Sequence, residues 1–224
     1  MSLIVFDFDG TLADTIPAIS AAVNGAFTSL GYPTRDGEHI RRSVGDGART
    51  LCRRVLPDEL YDDEAALDRL AEVYHNAAKE YFGITDTPYD GFYEVTDELL
   101  RRGYTLAVYS NKPDVFVSTL VNKLFPDGRF ALARGAMAGI PVKPAPDGLL
   151  EICRTLGFSI DDTTMVGDGD TDVAVAKNAG AKCVADTCEI STRASHSARR
   201  MSIFPLEAFE ASTRSSSRRF IRSD

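Results

Sequence analysis

Ile4-Val5-Phe6-Asp7-Phe8-Asp9-Gly10-Thr11 joins an apolar run to two carboxylates and a glycine. The apolar run is typical of a buried strand in a parallel sheet, and such sheets bind ligands beyond the carboxyl ends of their strands. Because side chains alternate along a strand, Asp7 and Asp9 point to the same side, where two like charges need a cation or a shared proton. Gly10 allows a sharp turn that brings backbone N–H groups toward these carboxylates. The stretch therefore predicts a site of chemistry, although a strand that simply ends in a turn explains the same residues.

The composition is that of an acidic globular protein. Of the 224 residues, 44% are hydrophobic and 26% charged, and the net charge is -8, which does not favour nucleic acid or an anionic membrane as a partner. The sequence contains no apolar run long enough for a transmembrane helix and no signal-peptide pattern, so we expect a cytoplasmic protein. The four cysteines form no CxxC pair and the three histidines are isolated. These patterns give no indication of a zinc site, a disulfide framework or a catalytic histidine.

The order of predicted elements indicates an α/β protein with an insertion. Helical periodicity fills residues 14–88, whereas strands at 105–109, 163–166 and 181–185 alternate with helices in the second part. Such alternation is typical of a parallel sheet with helices on both faces. The first strand needs partners from that second part. We therefore expect a discontinuous α/β core at 1–13 and 89–210 and an all-helical cap at 14–88.

The C-terminal stretch differs in composition. It is rich in Arg and Ser, and the pattern predicts a short strand at 202–206, a short helix from Glu207 and a mobile basic tail at 211–224. A solvated terminus explains this composition better than an anionic partner does.

Two further segments carry polar groups that suit an anion. Ser110 and Asn111 follow the strand at 105–109 and precede a helix, where a hydroxyl and free N–H groups bind anions, although a helix cap explains them equally. Lys143 lies between Val142 and Pro144. A lysine held by a neighbouring proline suits a phosphate oxygen, while an ordinary surface loop is the alternative.

An acidic turn follows the strand at 163–166. Gly167-Asp168-Gly169-Asp170-Thr171-Asp172 places three carboxylates within five residues. Oxygen-rich turns bind hard cations, and the spacing does not fit a calcium-binding EF-hand. Mg²⁺ fits better, because it keeps several waters and uses one or two carboxylates together with a substrate phosphate.

Together these segments resemble the four motifs of the haloacid dehalogenase superfamily of phosphotransferases: DxDGT, a hydroxyl residue at the second strand end, a lysine, and an acidic GDxxxD. The resemblance covers residues 1–186. It implies a Rossmann-like parallel sheet with an inserted helical cap, Mg²⁺ as the cofactor, and a small phosphorylated metabolite as the substrate. From the net charge we expect no nucleic-acid or membrane partner, and the sequence leaves open whether the protein is a monomer or a homodimer.

The resemblance also implies a role for each aspartate of the first motif. Asp7 corresponds to the nucleophile that forms an aspartyl-phosphate, and Asp9 to the general acid that later acts as a base. Members of the superfamily that cleave carbon–halogen or carbon–phosphorus bonds lack the second aspartate. Because Asp9 is present, hydrolysis of a phosphate ester is favoured.

Phosphate and metal ligands follow from the same resemblance. Four residues are implied in holding the phosphoryl group: Thr11, Ser110, Asn111 through its backbone, and Lys143. Mg²⁺ would be held by Asp7, the backbone carbonyl of Asp9, and Asp168, with Asp172 orienting these groups.

The cap carries a weaker signal for the substrate. Residues 30–33 and 44–47 are similar to those of phosphoglycolate phosphatases and their close relatives. Gly45 and Gly47 would let the backbone approach the substrate, and Arg49 would meet a carboxylate, although a plain helix start explains the same residues. 2-Phosphoglycolate is the first candidate substrate. The alternatives are a sugar phosphomutase of the same fold and a non-catalytic binding or regulatory protein.

Overall fold

The computed structural model describes residues 2–185. The predicted strand at 202–206, the helix from Glu207, the tail at 211–224 and the part of the predicted core beyond residue 185 lie outside the described residues. The strands are β1 Leu3–Phe6, β2 Ala13–Asp14, β3 Thr87–Pro88, β4 Thr105–Pro113, β5 Leu132–Ala136, β6 Thr163–Gly167 and β7 Lys182–Ala185. The helices are α1 Ile16–Leu30, α2 Gly37–Ser43, α3 Ala48–Val55, α4 Glu64–Tyr81, α5 Phe92–Arg101, α6 Asp114–Leu124, α7 Asp147–Leu156 and α8 Asp170–Ala179. Short 3₁₀ turns occur at Asp58–Leu60 and Ile160–Asp162.

A parallel sheet of five strands, in the order β5-β4-β1-β6-β7, forms the centre of the molecule. Leu3 in β1 pairs with Thr105 on one side and Thr163 on the other. The central position of β1 explains why its four residues are all apolar and buried. The predicted parallel sheet is confirmed.

Helices cover both faces of this sheet. On one face, Ile4 and Phe6 pack against side chains of α5 and α6, while on the other, Leu3 and Val5 pack against α7 and α8. The alternation of side chains along β1 thus supplies both apolar clusters. Full burial of one such side chain contributes about 1.5–3 kcal/mol.

The helices α1 to α4 build a third apolar cluster, in which Phe27, Ile40 and Leu67 are fully buried. Phe116 of α6 joins this cluster from the core. Two findings differ from the sequence interpretation of this block. The short helix α2 was not predicted, because it holds one large apolar residue, Ile40, and shows no periodicity. The strands β2 and β3 pair antiparallel where the chain leaves and re-enters the sheet, in a segment where helices alone were expected.

The strand β4 is longer than predicted. It continues through Ser110, Asn111 and Lys112 to Pro113, and its pairing with β5 shifts between Tyr109 and Pro113. This irregularity brings three consecutive polar residues to the carboxyl edge of the sheet. The edge strand β5 and the helix α5 were also missing from the sequence interpretation. Among residues 2–185, no helix combines the length and apolar character that a membrane span requires.

Candidate active site

The predicted site residues of the core meet at the carboxyl edge of the sheet. Asp7 directly follows β1. Its N–H donates to the carbonyl of Val166 in β6 at 2.8 Å, which holds the Asp7 backbone at this edge. Asp168 follows β6, and Lys143 arrives from the loop before α7. Residues far apart in sequence thus converge because parallel strands end on the same side.

Lys143 lies at the centre of the cluster. Its Nζ donates to Asp7 Oδ1 at 2.8 Å, to Asp172 Oδ1 at 2.7 Å and to the carbonyl of Tyr109 at 3.2 Å. Burial alone would lower the pKa of Lys143, but the charges of Asp7 and Asp172 outweigh it and hold the pKa above its ordinary value. Lys143 is therefore a fixed, fully oriented cation.

Asp7 occupies an environment that opposes its ionised form. The pKa of Asp7 is raised from 3.8 to about 7. Burial contributes most to this increase, the charges of Asp172 and Asp168 add to it, and Lys143 acts in the opposite direction. One carboxylate oxygen from each of Asp7, Asp168 and Asp172 lies within 4.8 Å of the others. Three carboxylates face one ammonium, so the donor set fits a hard cation with oxygen ligands such as Mg²⁺.

The first motif and the acidic turn are tied together by Thr11. Its hydroxyl donates to Asp168 Oδ1 at 2.8 Å. Gly10 makes this approach possible, because its φ is +86° and a Cβ there would lie 2.5 Å from Asp168 Oδ2. The side chain of Thr11 thus orients a carboxylate, which differs from the phosphoryl contact expected for it.

Asp172 and Ser110 also have defined partners. Asp172 Oδ2 accepts from the Gly169 N–H at 3.0 Å, which leaves Oδ1 to Lys143. The buried Ser110 hydroxyl accepts from the Lys112 N–H at 3.3 Å and lines the same cleft as Asp7. The side chain of Asn111 hydrogen-bonds to the backbone of Lys143. The sequence interpretation had considered only the backbone of Asn111, as a ligand of phosphate.

Comparison with known proteins agrees with this arrangement. The family model of the haloacid dehalogenase-like hydrolases matches residues 4–185. The chain belongs to this family. The sequence-based expectation of a hydrolase from the superfamily is thereby confirmed.

Curated relatives of this hydrolase carry a more specific name. It is 35% identical to Phosphoglycolate phosphatase 1 of Pseudomonas aeruginosa over 195 residues, which cover 83% of this chain and 69% of the relative. It is 30% identical to a phosphoglycolate phosphatase of Psychrobacter arcticus over 213 residues, with 93% and 91% covered. The crystal structure of a predicted phosphoglycolate phosphatase from Haemophilus somnus superposes with a TM-score of 0.74 at 25% identity, covering 83% of this chain and 84% of that one.

The hydrolase has a further site residue that the sequence interpretation missed. The Nζ of Lys112 lies 2.9 Å from Asp9 Oδ1. The same ammonium sits 4.0 Å from the ring centroid of Phe82, a residue that follows the cap helix α4. The only signal in the sequence is the third polar residue of Ser110-Asn111-Lys112.

A cleft of about 450 Å³, its open mouth included, separates this edge of the sheet from the cap. Asp7 and Asp9 lie on its core side, while Gly45, Gly47 and Tyr74 line it from the cap. Tyr74 was missed because it occupies an apolar position in the periodicity of α4.

Arg49 is not among the residues that line the cleft. Its guanidinium is exposed and pairs with Glu64 at 2.8 Å and Asp68 at 2.6 Å. Two carboxylates of α4 thus hold the Arg49 side chain on the cap surface, and the structure does not bring it together with the other predicted site residues.

Proposed function

We propose that this hydrolase cleaves small phosphate monoesters, with 2-phosphoglycolate as the preferred substrate, through a phosphorylated Asp7. One observation carries the proposal: the buried Lys143 ammonium contacts Asp7 and Asp172, whose carboxylates form a cluster with that of Asp168. The phosphatase names of the curated relatives support the choice of reaction and of substrate.

In the first step, a carboxylate oxygen of Asp7 attacks phosphorus. The new bond joins Asp7 to phosphorus while the bond from phosphorus to the alcohol oxygen breaks. Asp9, which lines the same cleft, gives its proton to the departing alkoxide. The alcohol leaves, and the phosphoryl group remains on Asp7.

In the second step, the ionised Asp9 accepts a proton from water as the water oxygen attacks phosphorus. The bond between Asp7 and phosphorus breaks, and inorganic phosphate is released. One carboxyl group thus serves as acid and then as base, which returns the protein to its starting state.

The transferred group carries negative charge that the site must balance. We assign this task to Lys143, whose ammonium contacts Asp7, and to the Ser110 hydroxyl, which lines the same cleft as Asp7. Asp7, the backbone carbonyl of Asp9, and Asp168 would hold Mg²⁺. When bound, Mg²⁺ supplies positive charge that offsets both the carboxylates and the phosphoryl oxygens.

The test is release of inorganic phosphate from a broad panel of phosphomonoesters, with Mg²⁺ and with a chelator. We expect turnover only with Mg²⁺ and the highest kcat/KM on 2-phosphoglycolate. Turnover of a sugar phosphate to its isomer, dependent on a sugar bisphosphate and without net phosphate release, would instead indicate a mutase. Absence of phosphate release from the whole panel would contradict the proposal and favour a non-catalytic protein.

A further inference from the structure

We propose that Lys112 is a positioning residue for Asp9: its ammonium holds one carboxyl oxygen of Asp9 so that the other faces the leaving oxygen of the substrate. This inference rests on the proposed function, because it assigns a task to Lys112 within the transfer of a proton from Asp9 to the departing alcohol. It concerns a contact that joins the core strand β4 to the first motif.

The contact between Lys112 and Asp9 is short and shielded. Nζ and Oδ1 are 2.9 Å apart, and the side chains of Lys112 and Asp9 are 4% and 14% exposed. Within residues 2–185, the side-chain hydrogen bonds of Asp9 go through Oδ1 alone. The second oxygen, Oδ2, is thus left for a proton and a substrate, and the small exposed fraction of Asp9 fits a group that opens onto the cleft.

The position of the ammonium is itself fixed from two sides. The backbone N–H of Lys112 donates to the Ser110 hydroxyl at 3.3 Å, within the irregular end of β4. On the far side, the ring of Phe82 lies beneath Nζ and packs edge-on against Phe116, with ring centroids 5.0 Å apart. A cation on an aromatic face keeps its location without using up its N–H donors. Lys112 therefore reaches Asp9 from a support that does not depend on the first motif.

The two aspartates of the first motif have separate lysines. Lys143 contacts Asp7 together with Asp172, whereas Lys112 contacts Asp9. Lys143 thus faces the group proposed to receive the phosphoryl moiety, and Lys112 faces the group proposed to move the proton. A carboxyl group on a turn can rotate, and small errors of orientation cost much of the rate of proton transfer. Lys112 removes that freedom from Asp9.

If Lys112 positions Asp9, the effect of a Lys112 variant should depend on the leaving group of the substrate. A merely structural role would give no such dependence. An alkoxide needs a proton in order to leave, whereas p-nitrophenolate leaves without one. The parameter kcat/KM includes only the steps up to release of the alcohol, so the later hydrolysis of phosphorylated Asp7 does not mask the effect. We would measure kcat/KM for 2-phosphoglycolate, ethyl phosphate and p-nitrophenyl phosphate.

The variants are Lys112→Met, Lys112→Arg and Asp9→Asn, with Lys79→Met as the matched control. Lys79 is an exposed lysine of α4 whose Nζ donates to Asn76 at 3.1 Å. We expect Lys112→Met to lower kcat/KM by about 10- to 100-fold for both alkyl esters and by less than about 3-fold for p-nitrophenyl phosphate. Lys112→Arg recovers most of the loss, and Lys79→Met matches the wild-type protein.

A second variant keeps the proposal testable if Lys112→Met does not fold. Phe82→Leu leaves the ammonium in place and removes the aromatic face beneath it. We expect Phe82→Leu also to lower kcat/KM for the alkyl esters more than for p-nitrophenyl phosphate, but by only about 2- to 5-fold. Thermal denaturation identifies the variants that retain the fold.

Two results would overturn the inference. An equal loss on all three substrates indicates a merely structural lysine, and a loss confined to 2-phosphoglycolate indicates that Lys112 contacts the substrate carboxylate. The Asp9→Asn variant shows whether only the role of Lys112 is wrong or the proposed function is wrong as well. If Asp9→Asn spares p-nitrophenyl phosphate and Lys112→Met does not, the inference alone fails; if Asp9→Asn shows no dependence on the leaving group, the proposed role of Asp9 fails.

Discussion

The side-chain amide of Asn111 binds the backbone of Lys143 in both directions. Asn111 Oδ1 accepts from the Lys143 N–H at 2.8 Å, and Nδ2 donates to the Lys143 carbonyl at 3.0 Å. The same Nδ2 donates to the carbonyl of Gly45 in the cap at 3.0 Å. The end of β4 therefore fixes the loop from which Lys143 enters between Asp7 and Asp172, and it also contacts the cap.

Replacement of this amide should impair both stability and turnover. In Asn111→Ala, the buried N–H and carbonyl of Lys143 lose their partners, and we expect the free energy of unfolding to fall by about 2–3 kcal/mol. Because the Lys143 ammonium also loses its alignment, we expect kcat to fall by at least about 10-fold. Denaturant titration and steady-state kinetics measure the two effects.

Asn178→Ala is the control for that variant. The Asn178 amide donates to the carbonyl of Pro144 at 2.8 Å, one residue beyond Lys143, but at an exposed position. We expect a change in the free energy of unfolding of no more than about 0.5 kcal/mol. Equal effects of Asn111→Ala and Asn178→Ala would show that Asn111 does not position the lysine.

Removal of the Thr11 hydroxyl should lower the affinity for Mg²⁺. Since this hydroxyl orients Asp168, Thr11→Val should raise the half-saturating Mg²⁺ concentration by about 10-fold or more, while Thr11→Ser should remain near the wild-type value. A Mg²⁺ titration of phosphate release measures this concentration. If KM for the phosphoester rises while the Mg²⁺ dependence stays constant, Thr11 contacts the phosphoryl group, as its sequence position alone suggested.

The acidic turn offers a matched pair of variants. Asp168 and Asp170 are both exposed, but only Asp168 belongs to the carboxylate cluster. We expect Asp168→Asn to lower Mg²⁺-dependent turnover by at least about 100-fold and to abolish thermal stabilisation by Mg²⁺. Asp170→Asn should change turnover by less than about 2-fold. Loss of the Mg²⁺ response in both variants would contradict the ligand set proposed for this turn.

Buried Asp7 makes the stability of the metal-free protein depend on pH. Its pKa is raised from 3.8 to about 7 in the folded state, mainly by burial. The stability that neutral Asp7 provides is therefore complete below about pH 4 and is lost as pH rises through 7. In the presence of a chelator, the Tm of Asp7→Asn should exceed that of the wild type by about 5 °C more at pH 8 than at pH 4.5. Thermal denaturation of both proteins across this range checks the prediction, and a Tm difference independent of pH would contradict it.

The sequence predicted the sheet and most of the site because both depend on local patterns. Apolar runs mark buried strands, and polar residues at their ends meet because parallel strands share one carboxyl edge. This geometry explains the convergence of Asp7, Ser110 and Asp168. Lys143 was also found locally, through the neighbouring proline.

The features that were missed depend on packing between distant segments. The Lys112 ammonium that contacts Asp9 also packs on the ring of Phe82, which lies 30 positions earlier in the sequence and in a different part of the fold. Arg49 follows a glycine-rich turn at the cleft, yet Glu64 and Asp68 of α4 pair with it on the cap surface. The edge strand β5 is short and contains Gly and Arg, so its sequence lacks the pattern of a buried strand.

Chemical trapping tests directly whether Asp7 is phosphorylated during turnover. Borohydride reduces an acyl phosphate to an alcohol, which would convert the phosphorylated aspartate to homoserine. The protein would be reduced during turnover of 2-phosphoglycolate with Mg²⁺, and its peptides would be identified by mass spectrometry. We predict homoserine at position 7, dependent on substrate and Mg²⁺, and no turnover by a folded Asp7→Asn variant. Turnover by that variant at the wild-type rate, or homoserine at another aspartate in place of position 7, would contradict the account.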